Sequence, residues 1–302
     1  MADRLTGIEV LVRAVRLGSL SAAARATGMS STMAARHLEM LEARLSTTLV
    51  RRTTRKLSLT EAGAAFLDRA ERLLADLGEA EAEATAGTAA VKGLVRVSAP
   101  AVLGTMHLAP LLPMFAAAYP AVSIELGLND RTVDLLEERW DMAIRIGRLA
   151  DSTLVARKIA DVRLSLCAAP DYLRRRGTPQ TISDLGRHDC LGYTLSDRMT
   201  AQLWSFGRDG AVRVPVRGTL AADNGHALMT AAIGGQGLLY GPHFIVAAAI
   251  ADGRLAELTL DQPVMDLGAI YALTHPTRRP SAKVRAWIEF ITAKLREMAR
   301  DW

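Results

Sequence analysis

Hydrophobic positions near the start of the chain recur at the spacing of two short packed helices. In residues 22–45, Ala24 allows a close approach between helices, and Gly28 supplies the positive φ that a tight turn between them needs. The second helix carries one apolar stripe, formed by Ala34, Leu38, Leu41 and Leu45. A small-residue helix, a glycine turn and an amphipathic helix are typical of a helix-turn-helix that binds duplex DNA.

The opposite face of the second helix is the predicted DNA-reading face. Thr32 and Arg36 point away from the apolar stripe at about 100° per residue, with Met33 beside them. Either of the two preceding serines can cap the helix start. For a helix that enters a major groove by its N-terminus, we expect DNA contacts from Ser30, Ser31, Thr32, Met33 and Arg36.

Residues 49–60, LVRRTTRKLSLT, predict a short β-hairpin, because Leu57 and Leu59 alternate with polar residues. The hairpin would form a wing beside the helices. Its candidate DNA-contacting residues are Arg51, Arg52, Thr54, Arg55 and Lys56. An arginine here can enter a narrow minor groove or bind phosphate. We assign each arginine to phosphate, a contact that sets the register without reading the base sequence.

The net positive charge of the chain is confined to this segment. Residues 1–56 contain ten Lys and Arg against four Asp and Glu, a net charge of +6, and the remainder carries −1. A basic module attached to a near-neutral domain is expected of a DNA-binding protein. A merely solvated basic face is the alternative, and only the coincidence with the helix-turn-helix pattern favours DNA.

Residues 8–63, which include RTTRKLSLTEAG at 52–63, resemble the winged helix-turn-helix of LysR-type transcriptional regulators. The resemblance implies a winged helix-turn-helix with a long linker helix, followed by a two-lobed α/β regulatory domain of the type 2 periplasmic-binding-protein kind. It also implies a small-molecule effector between the lobes, a homodimer or a tetramer of two dimers, and RNA polymerase as a partner. Ala34, Ala35 and Glu39 depart from the family pattern, which leaves the base preference open.

A long helix is predicted from residue 60 to about residue 85. Its apolar seam alternates steps of four and three and consists of Phe66, Ala70, Leu73, Leu77, Ala80 and Ala84. Such a seam is typical of a two-stranded coiled coil, so we expect these residues to dimerise the chain. Gly78 weakens the middle of the helix, and a surface helix packed on its own domain is the alternative.

Beyond a small-residue hinge at 86–93, short apolar strands alternate with helices. The strands are predicted at 94–98, 122–128, 142–146, 163–168, 238–240 and 269–273, and the helices at 106–119, 132–140, 227–233 and 281–298. Alternation of this kind predicts α/β sheets with mainly parallel strands. We therefore divide the chain into a DNA-binding domain (1–60), a linker helix and hinge (61–92) and a regulatory domain (93–302). The resemblance splits the last into lobe 1 (93–162 and 266–302) and lobe 2 (163–265).

Ligands of open α/β sheets bind where the carboxyl ends of strands meet a crevice. The candidate effector-binding residues at such ends are Ser98, Ala99, Pro100, Thr105, Asn129, Asp130, Arg131, Arg145, Gly147, Asp223, Asn224, Gly241, Pro242 and His243. A helix start at Asn224 together with Arg145 or Arg131 would suit an organic anion. Each residue also has a structural alternative, as a helix cap or as a surface ion-pair partner.

Motifs for catalysis, for a cofactor and for a metal are missing from the sequence. It has no G-x-S-x-G elbow, Walker loop or H-E-x-x-H, and the six histidines lack the spacing of metal ligands. Cys167 and Cys190 are expected to be reduced, buried thiols. We expect a cytoplasmic protein with no membrane partner, and the longest apolar runs considered, such as 244–251, are too short to span a bilayer. The rival hypotheses are an architectural DNA-binding protein without an effector, and an α/β enzyme or carrier with a DNA-binding arm.

Overall fold

The structure, a computed structural model, describes residues 4–52, 57–84, 91–131, 133–148, 153–196, 199–276, 280–300 and 302. The chain forms two compact units, Met1–Ala90 and Val91–Trp302. Each unit has a hydrophobic core of its own, and the second contains the larger share of the buried residues.

The first unit is a three-helix module with a two-stranded wing and one long helix. Its elements are α1 (Arg4–Arg16), α2 (Leu20–Ala26), α3 (Ser31–Leu45), β1 (Val50–Arg52), β2 (Leu57–Leu59) and α4 (Glu61–Ala84). The turn between α2 and α3 contains Gly28 at φ +68°, as the sequence predicts. Ser30 caps α3, because its Oγ accepts a hydrogen bond from the Met33 N–H at 3.2 Å.

The predicted apolar stripe of α3 is correct for three of its four residues. Ala34, Leu38 and Leu41 are buried, whereas Leu45 is 36% exposed. Leu45 is the last residue of α3, and Ser46 then adopts a left-handed conformation that turns the chain away. Leu49 is buried in the same core cluster, on the other side of that turn.

The start of α4 packs directly on the wing. Thr60 Oγ1 accepts a hydrogen bond from the Gly63 N–H at 2.9 Å and donates one to the Thr48 carbonyl at 2.7 Å. A Cβ at Gly63 would lie 2.0 Å from the Leu49 carbonyl oxygen. Glycine is therefore required at this position, because the helix backbone and the chain entering β1 nearly touch.

The second unit contains two five-stranded sheets. The first has the order β4-β3-β5-β14-β6, built from β3 (Gly93–Ala99), β4 (Val122–Leu128), β5 (Met142–Gly147), β6 (Val155–Asp161) and β14 (Ala269–Thr274). The second has the order β11-β8-β12-β7-β13, built from β7 (Leu164–Ala168), β8 (Cys190–Tyr193), β11 (Ala221–Ala222), β12 (Leu238–Pro242) and β13 (Ala256–Leu258). A hairpin of β9 (Leu203–Phe206) and β10 (Val212–Pro215) accompanies the second sheet.

Both sheets are mixed, so the prediction of mainly parallel strands is only partly correct. The pairs β3–β4, β3–β5, β8–β11 and β8–β12 are parallel, while β7 and β14 run antiparallel to their neighbours. These two are the first strands after the chain passes from one sheet to the other. Each enters its new sheet in the reverse direction, and the spacing of apolar residues does not reveal that direction.

Helices cover the sheets. The elements are α5 (Ala101–Leu103), a π turn (Gly104–Leu108), a 3₁₀ turn (Ala109–Leu111), α6 (Leu112–Ala118), α7 (Pro170–Arg176), a 3₁₀ turn (Ile182–Arg187), α8 (Gly225–Ile233), α9 (His243–Ala251) and α10 (Ala282–Met298). The stretch Ala101–Ala118 is long and apolar enough to cross a membrane by length and composition, and it exceeds the 244–251 run considered above. Leu103, Leu108, Leu111 and Phe115 from this stretch belong to the core cluster, which accounts for its apolar composition.

The helix predicted at 132–140 is wrong for the described residues 133–140, which form turns. The Asp134 carboxylate accepts hydrogen bonds from the Leu136 and Glu137 N–H groups at 2.8 and 2.9 Å, and Arg139 has φ +66°. An aspartate that binds the backbone locally competes with helix formation, so the apolar spacing alone was misleading.

Two glycines of α4 provide a matched test of this packing. Gly63→Ala should lower the free energy of unfolding by about 1–3 kcal/mol, because its Cβ has no room. Gly78→Ala, where nothing lies within 4 Å of the new Cβ, should raise it by about 0.5–1 kcal/mol. Urea unfolding of the full chain, followed by helical circular dichroism, measures both. Equal effects of the two substitutions would contradict the close contact between α4 and the Leu49 backbone.

Candidate DNA-contacting and ligand-binding sites

The face of α3 opposite its buried stripe is exposed. Ser31, Thr32, Met33 and Arg36 are all exposed, and Met33 is 53% accessible. Ser30 precedes them, exposed, with its Oγ used as the helix cap. The first turns of α3 thus present short polar groups, one thioether and one guanidinium on a rigid helix, a combination that can reach base edges in a major groove.

The wing pairs β1 with β2 in antiparallel register, with Arg51 opposite Ser58. Arg51 is exposed on this hairpin. The backbone of Arg52 ends β1, but its side chain lies outside the described part of the structure, as do Thr54, Arg55 and Lys56. For these four side chains, as for Arg51, contact with DNA remains a prediction.

The predicted dimerisation seam of α4 divides into two parts. Ala70 is 3% exposed inside the core of its own unit, and Phe66 packs against the same cluster, so these two residues are removed from the seam. Arg16 also binds Glu71 through an ion pair of 2.8 Å, which attaches this part of α4 to α1. Leu73 is 46% exposed and Leu77 half-buried, whereas the side chains of Ala80 and Ala84 are not described.

The second unit encloses a cavity of about 470 Å³. It lies between the carboxyl ends of β3 and β5 on one side and those of β8 and β12, with the starts of α8 and α9, on the other. Six of the predicted residues line it: Pro100, Asp130, Arg145, Gly147, Gly241 and Pro242.

Other predicted residues are near the cavity but do not line it. Ser98 and Ala99 are fully buried at the end of β3, and Ser98 Oγ accepts a hydrogen bond from Arg145 Nη2 at 3.0 Å. Thr105 Oγ1 donates to the Ala101 carbonyl at 2.9 Å within its own helical segment. Asn129 is likewise not among the lining residues.

Arg131 and Asn224, two of the groups in the predicted anion site, bind other groups of the protein. Arg131 forms a two-pronged ion pair with the Glu138 carboxylate, and 62% of the Arg131 side chain is exposed. Asn224 Oδ1 accepts hydrogen bonds from the His226 and Ala227 N–H groups at 3.0 and 3.2 Å. Two N–H groups at the start of α8 are therefore capped by Asn224 itself and are not free to bind an anion, contrary to the expectation from the sequence.

Arg145 is the central charged group of the cavity wall. Its guanidinium donates to the Ile144 carbonyl at 2.7 Å, to Ser98 Oγ at 3.0 Å and to the Arg131 carbonyl at 3.1 Å. Burial lowers the pKa of Arg145, and the nearby Asp130 carboxylate acts in the opposite direction. The guanidinium is thus held in place by three oxygen atoms and stays charged.

Most of the remaining lining is apolar and was not predicted from the sequence. The missed residues include Leu103, Tyr193, Leu195, Met199, Leu228, Leu239, Phe244, Ile245, Met265 and Leu267. An apolar side chain that borders a cavity has the same sequence pattern as one that fills a core. Polar groups at strand ends were missed as well, since Arg148 follows β5 and Tyr193 ends β8. Burial raises the pKa of the Tyr193 phenol to about 12.

Comparison with known proteins decides the family. Residues 5–64 match the model of the bacterial regulatory helix-turn-helix protein, lysR family, and residues 88–296 match that of the LysR substrate binding domain. The chain belongs to the LysR family of transcriptional regulators. It is thus a DNA-binding regulator with an effector-binding domain and not an enzyme, as the sequence predicts.

Individual relatives agree with this assignment along almost the whole chain. An uncharacterized HTH-type transcriptional regulator of Haemophilus influenzae is 35% identical over 92% of this chain and 95% of its own length. The structure of CrgA, a LysR-type regulator from Neisseria meningitidis, matches with 31% identity and a TM-score of 0.63 over 96% of this chain and 98% of that one. The full-length Vibrio cholerae virulence activator AphB matches with 29% identity and a TM-score of 0.56, over 96% of this chain and 98% of its own.

One polar cluster of this LysR-type chain resembles a catalytic triad without its geometry. Ser165 Oγ lies 2.7 Å from His243 Nδ1 and 2.5 Å from Glu257 Oε1, and Arg163 binds the same carboxylate. A nucleophilic serine needs the histidine between itself and the acid, and it must be accessible. Ser165 is only 1% exposed and contacts both partners itself. The cluster therefore connects β7 and β13 to the start of α9.

The two cysteines cannot form a disulfide in this fold. Cys167 pairs with Leu239 on one side of β12 and Cys190 with Leu238 on the other, so they lie two strand spacings apart, or roughly 10 Å, on opposite faces of the sheet. Burial raises the pKa of each thiol to about 12. Both are buried free cysteines, as predicted.

Arg36 provides the sharpest test of the reading face. If its guanidinium binds a guanine edge, Arg36→Ala should weaken binding to the specific DNA site by about 1–3 kcal/mol and binding to random DNA much less. Fluorescence anisotropy on the two duplexes measures the difference. Arg44→Ala, which removes the same charge from the last turn of α3, is the matched control and should affect both duplexes alike. Equal losses for Arg36→Ala would assign it to phosphate.

Proposed function

We propose that this regulator binds a two-fold symmetric operator as a dimer, or as a tetramer of two dimers, and responds to a small molecule in the 470 Å³ cavity. The observation that carries the DNA part is the exposed face of α3, where Thr32, Met33 and Arg36 stand opposite the buried residues of the stripe. Ser30, Ser31 and the wing residues Arg51, Arg52, Thr54, Arg55 and Lys56 complete the proposed DNA contacts. Because it would act on DNA, we propose that the protein works in the cytoplasm.

The dimer is proposed to form through the later part of α4. Leu73 is half-exposed and Leu77 lies one turn further on, and with Ala80 and Ala84 they continue the predicted seam. The 24 residues of α4 extend about 36 Å, a length comparable to the 34–36 Å between half-sites one helical turn apart. Two copies of α3 could then read successive major grooves.

The cavity is the proposed effector site. Its volume falls within the range of small-molecule pockets, and its walls come from both sheets of the regulatory unit. The proposed lobes are residues 93–162 with 266–302 and residues 163–265. A ligand that binds one arrangement of the lobes better than another shifts the population toward it. That shift would change the spacing of the DNA-binding units and the action of the regulator on RNA polymerase.

The first test is binding of the purified full chain to the duplex upstream of its own gene and to a scrambled duplex, by fluorescence anisotropy across a salt series. A specific regulator should bind the upstream duplex at least ~10³-fold more tightly than the scrambled one. The specific complex should also weaken with salt, because phosphate contacts release counterions.

Equal binding to both duplexes, lost together as salt increases, would contradict specific recognition of this DNA. The architectural reading, in which the basic first unit binds DNA without an effector, would then be favoured. A library of genomic fragments selected by the protein would decide whether a specific site exists elsewhere.

A further inference from the structure

We infer that the effector of this protein has an apolar body and a hydrogen-bond-donating head group, best a cationic amine, that binds Asp130. The inference rests on the proposed role of the cavity as the effector site. It replaces the organic anion expected from the sequence, and four features of the cavity support it.

The residues that line the cavity indicate an apolar ligand body. Leu103 and Leu228 line it together with Leu239, Phe244 and Ile245. These side chains come from α5, α8, α9 and β12, and they converge on one space of about 470 Å³. A pocket of this size, lined mainly by aliphatic and aromatic groups, favours a ligand that is mostly hydrocarbon or aromatic.

Two of the helix starts beside the cavity are capped by acceptors of the protein. At the first helical segment, an Asp130 carboxylate oxygen accepts the Ala101 N–H at 3.2 Å. At α8, Asn224 Oδ1 accepts the two N–H groups of His226 and Ala227. A helix start binds an anion through free N–H groups, so the Ala101, His226 and Ala227 N–H groups are not free for one.

The cationic side chains of the wall also have partners. Arg145 donates to three oxygen atoms, as described above. Arg148 pairs with the Asp266 carboxylate at 3.3 Å and donates to the Arg208 carbonyl at the same distance. Because Asp130 and Asp266 balance Arg145 and Arg148, the lining carries no surplus of positive charge for a carboxylate ligand.

Asp130 retains the capacity to accept a ligand. Its carboxylate has about four acceptor sites, and the Ala101 N–H uses one of them. The Tyr193 phenol lines the same cavity and is close enough to Asp130 and Asp223 for both carboxylates to add to the rise in its pKa. Burial also raises the pKa of Asp130, although Arg145 opposes that rise. A donor head group would compensate the desolvated carboxylate.

The start of α9 is the competing site for an anion. Pro242 precedes the helix, and no side chain caps its first turn. A carboxylate could bind there, so the test compares head groups on one constant body.

The probes are 3-phenylpropan-1-amine, 3-phenylpropan-1-ol and 3-phenylpropanoate, titrated into the full chain at pH 7 by calorimetry. We expect the amine to bind most tightly, then the alcohol, then the carboxylate. Asp130→Asn should weaken the amine roughly 10- to 100-fold, the range of a hydrogen bond to a charged group, and change the alcohol little. The asparagine oxygen can still accept the Ala101 N–H, so the variant should fold.

Asp252→Asn is the matched control, because Asp252 forms an exposed ion pair with Arg254 after α9 and does not line the cavity. It should leave all three affinities unchanged. The inference is overturned if the carboxylate binds as tightly as the amine, if Asp130→Asn leaves the amine unaffected, or if none of the probes binds. DNA binding is measured separately by anisotropy. Specific DNA binding without amine binding would reject the ligand class alone, whereas the loss of both would reject the proposed regulator as well.

Discussion

The regulatory unit depends on the position of β14, which lies between β5 and β6 and runs antiparallel to both. To reach that position the chain must return from the second sheet, and the return places Asp266 and Leu267 beside the end of β5. Gly268 permits the approach, because a Cβ there would lie 2.6 Å from the Gly147 carbonyl oxygen. The cavity is therefore built from segments far apart in sequence, and it exists only when both sheets have formed.

Because these segments lie close together, the charged side chains around the cavity bind to one another and to nearby backbone groups. Polar groups brought together at strand ends away from bulk water are stable only when they are hydrogen-bonded. Arg145 is held by oxygen atoms from three segments, and the half-exposed Arg148 binds Asp266 and the Arg208 carbonyl. In the account proposed above, a ligand uses the apolar surface and the spare acceptor sites of Asp130. Specificity in such a pocket arises from a few polar groups in a mainly apolar wall.

Sequence predicted the elements better than the site, for physical reasons. The α3 helix, capped by Ser30, and the strand Val122–Leu128 were predicted correctly, because caps and apolar periodicity are local signals. The helix at 132–140 was wrong because Asp134 binds its own backbone, and Asn224 turned out to be a local cap. Lining residues such as Phe244 were missed, since the sequence pattern cannot tell a cavity wall from a core.

The most direct test of the account is whether the cavity couples a ligand to DNA binding. Gly241 lines the cavity, and the nearest atom to a Cβ there is Leu239 Cδ1 at 4.0 Å, so Gly241→Leu should fill the space without a clash. Compounds that raise the melting temperature of the wild type are first selected from a metabolite panel. The operator affinity of the wild type and of this variant is then measured with and without each compound. The account predicts that such a compound changes the operator affinity of the wild type. In Gly241→Leu neither that change nor the rise in melting temperature should occur, and the operator affinity without the compound should equal that of the wild type. A compound that acts equally on both proteins would contradict it.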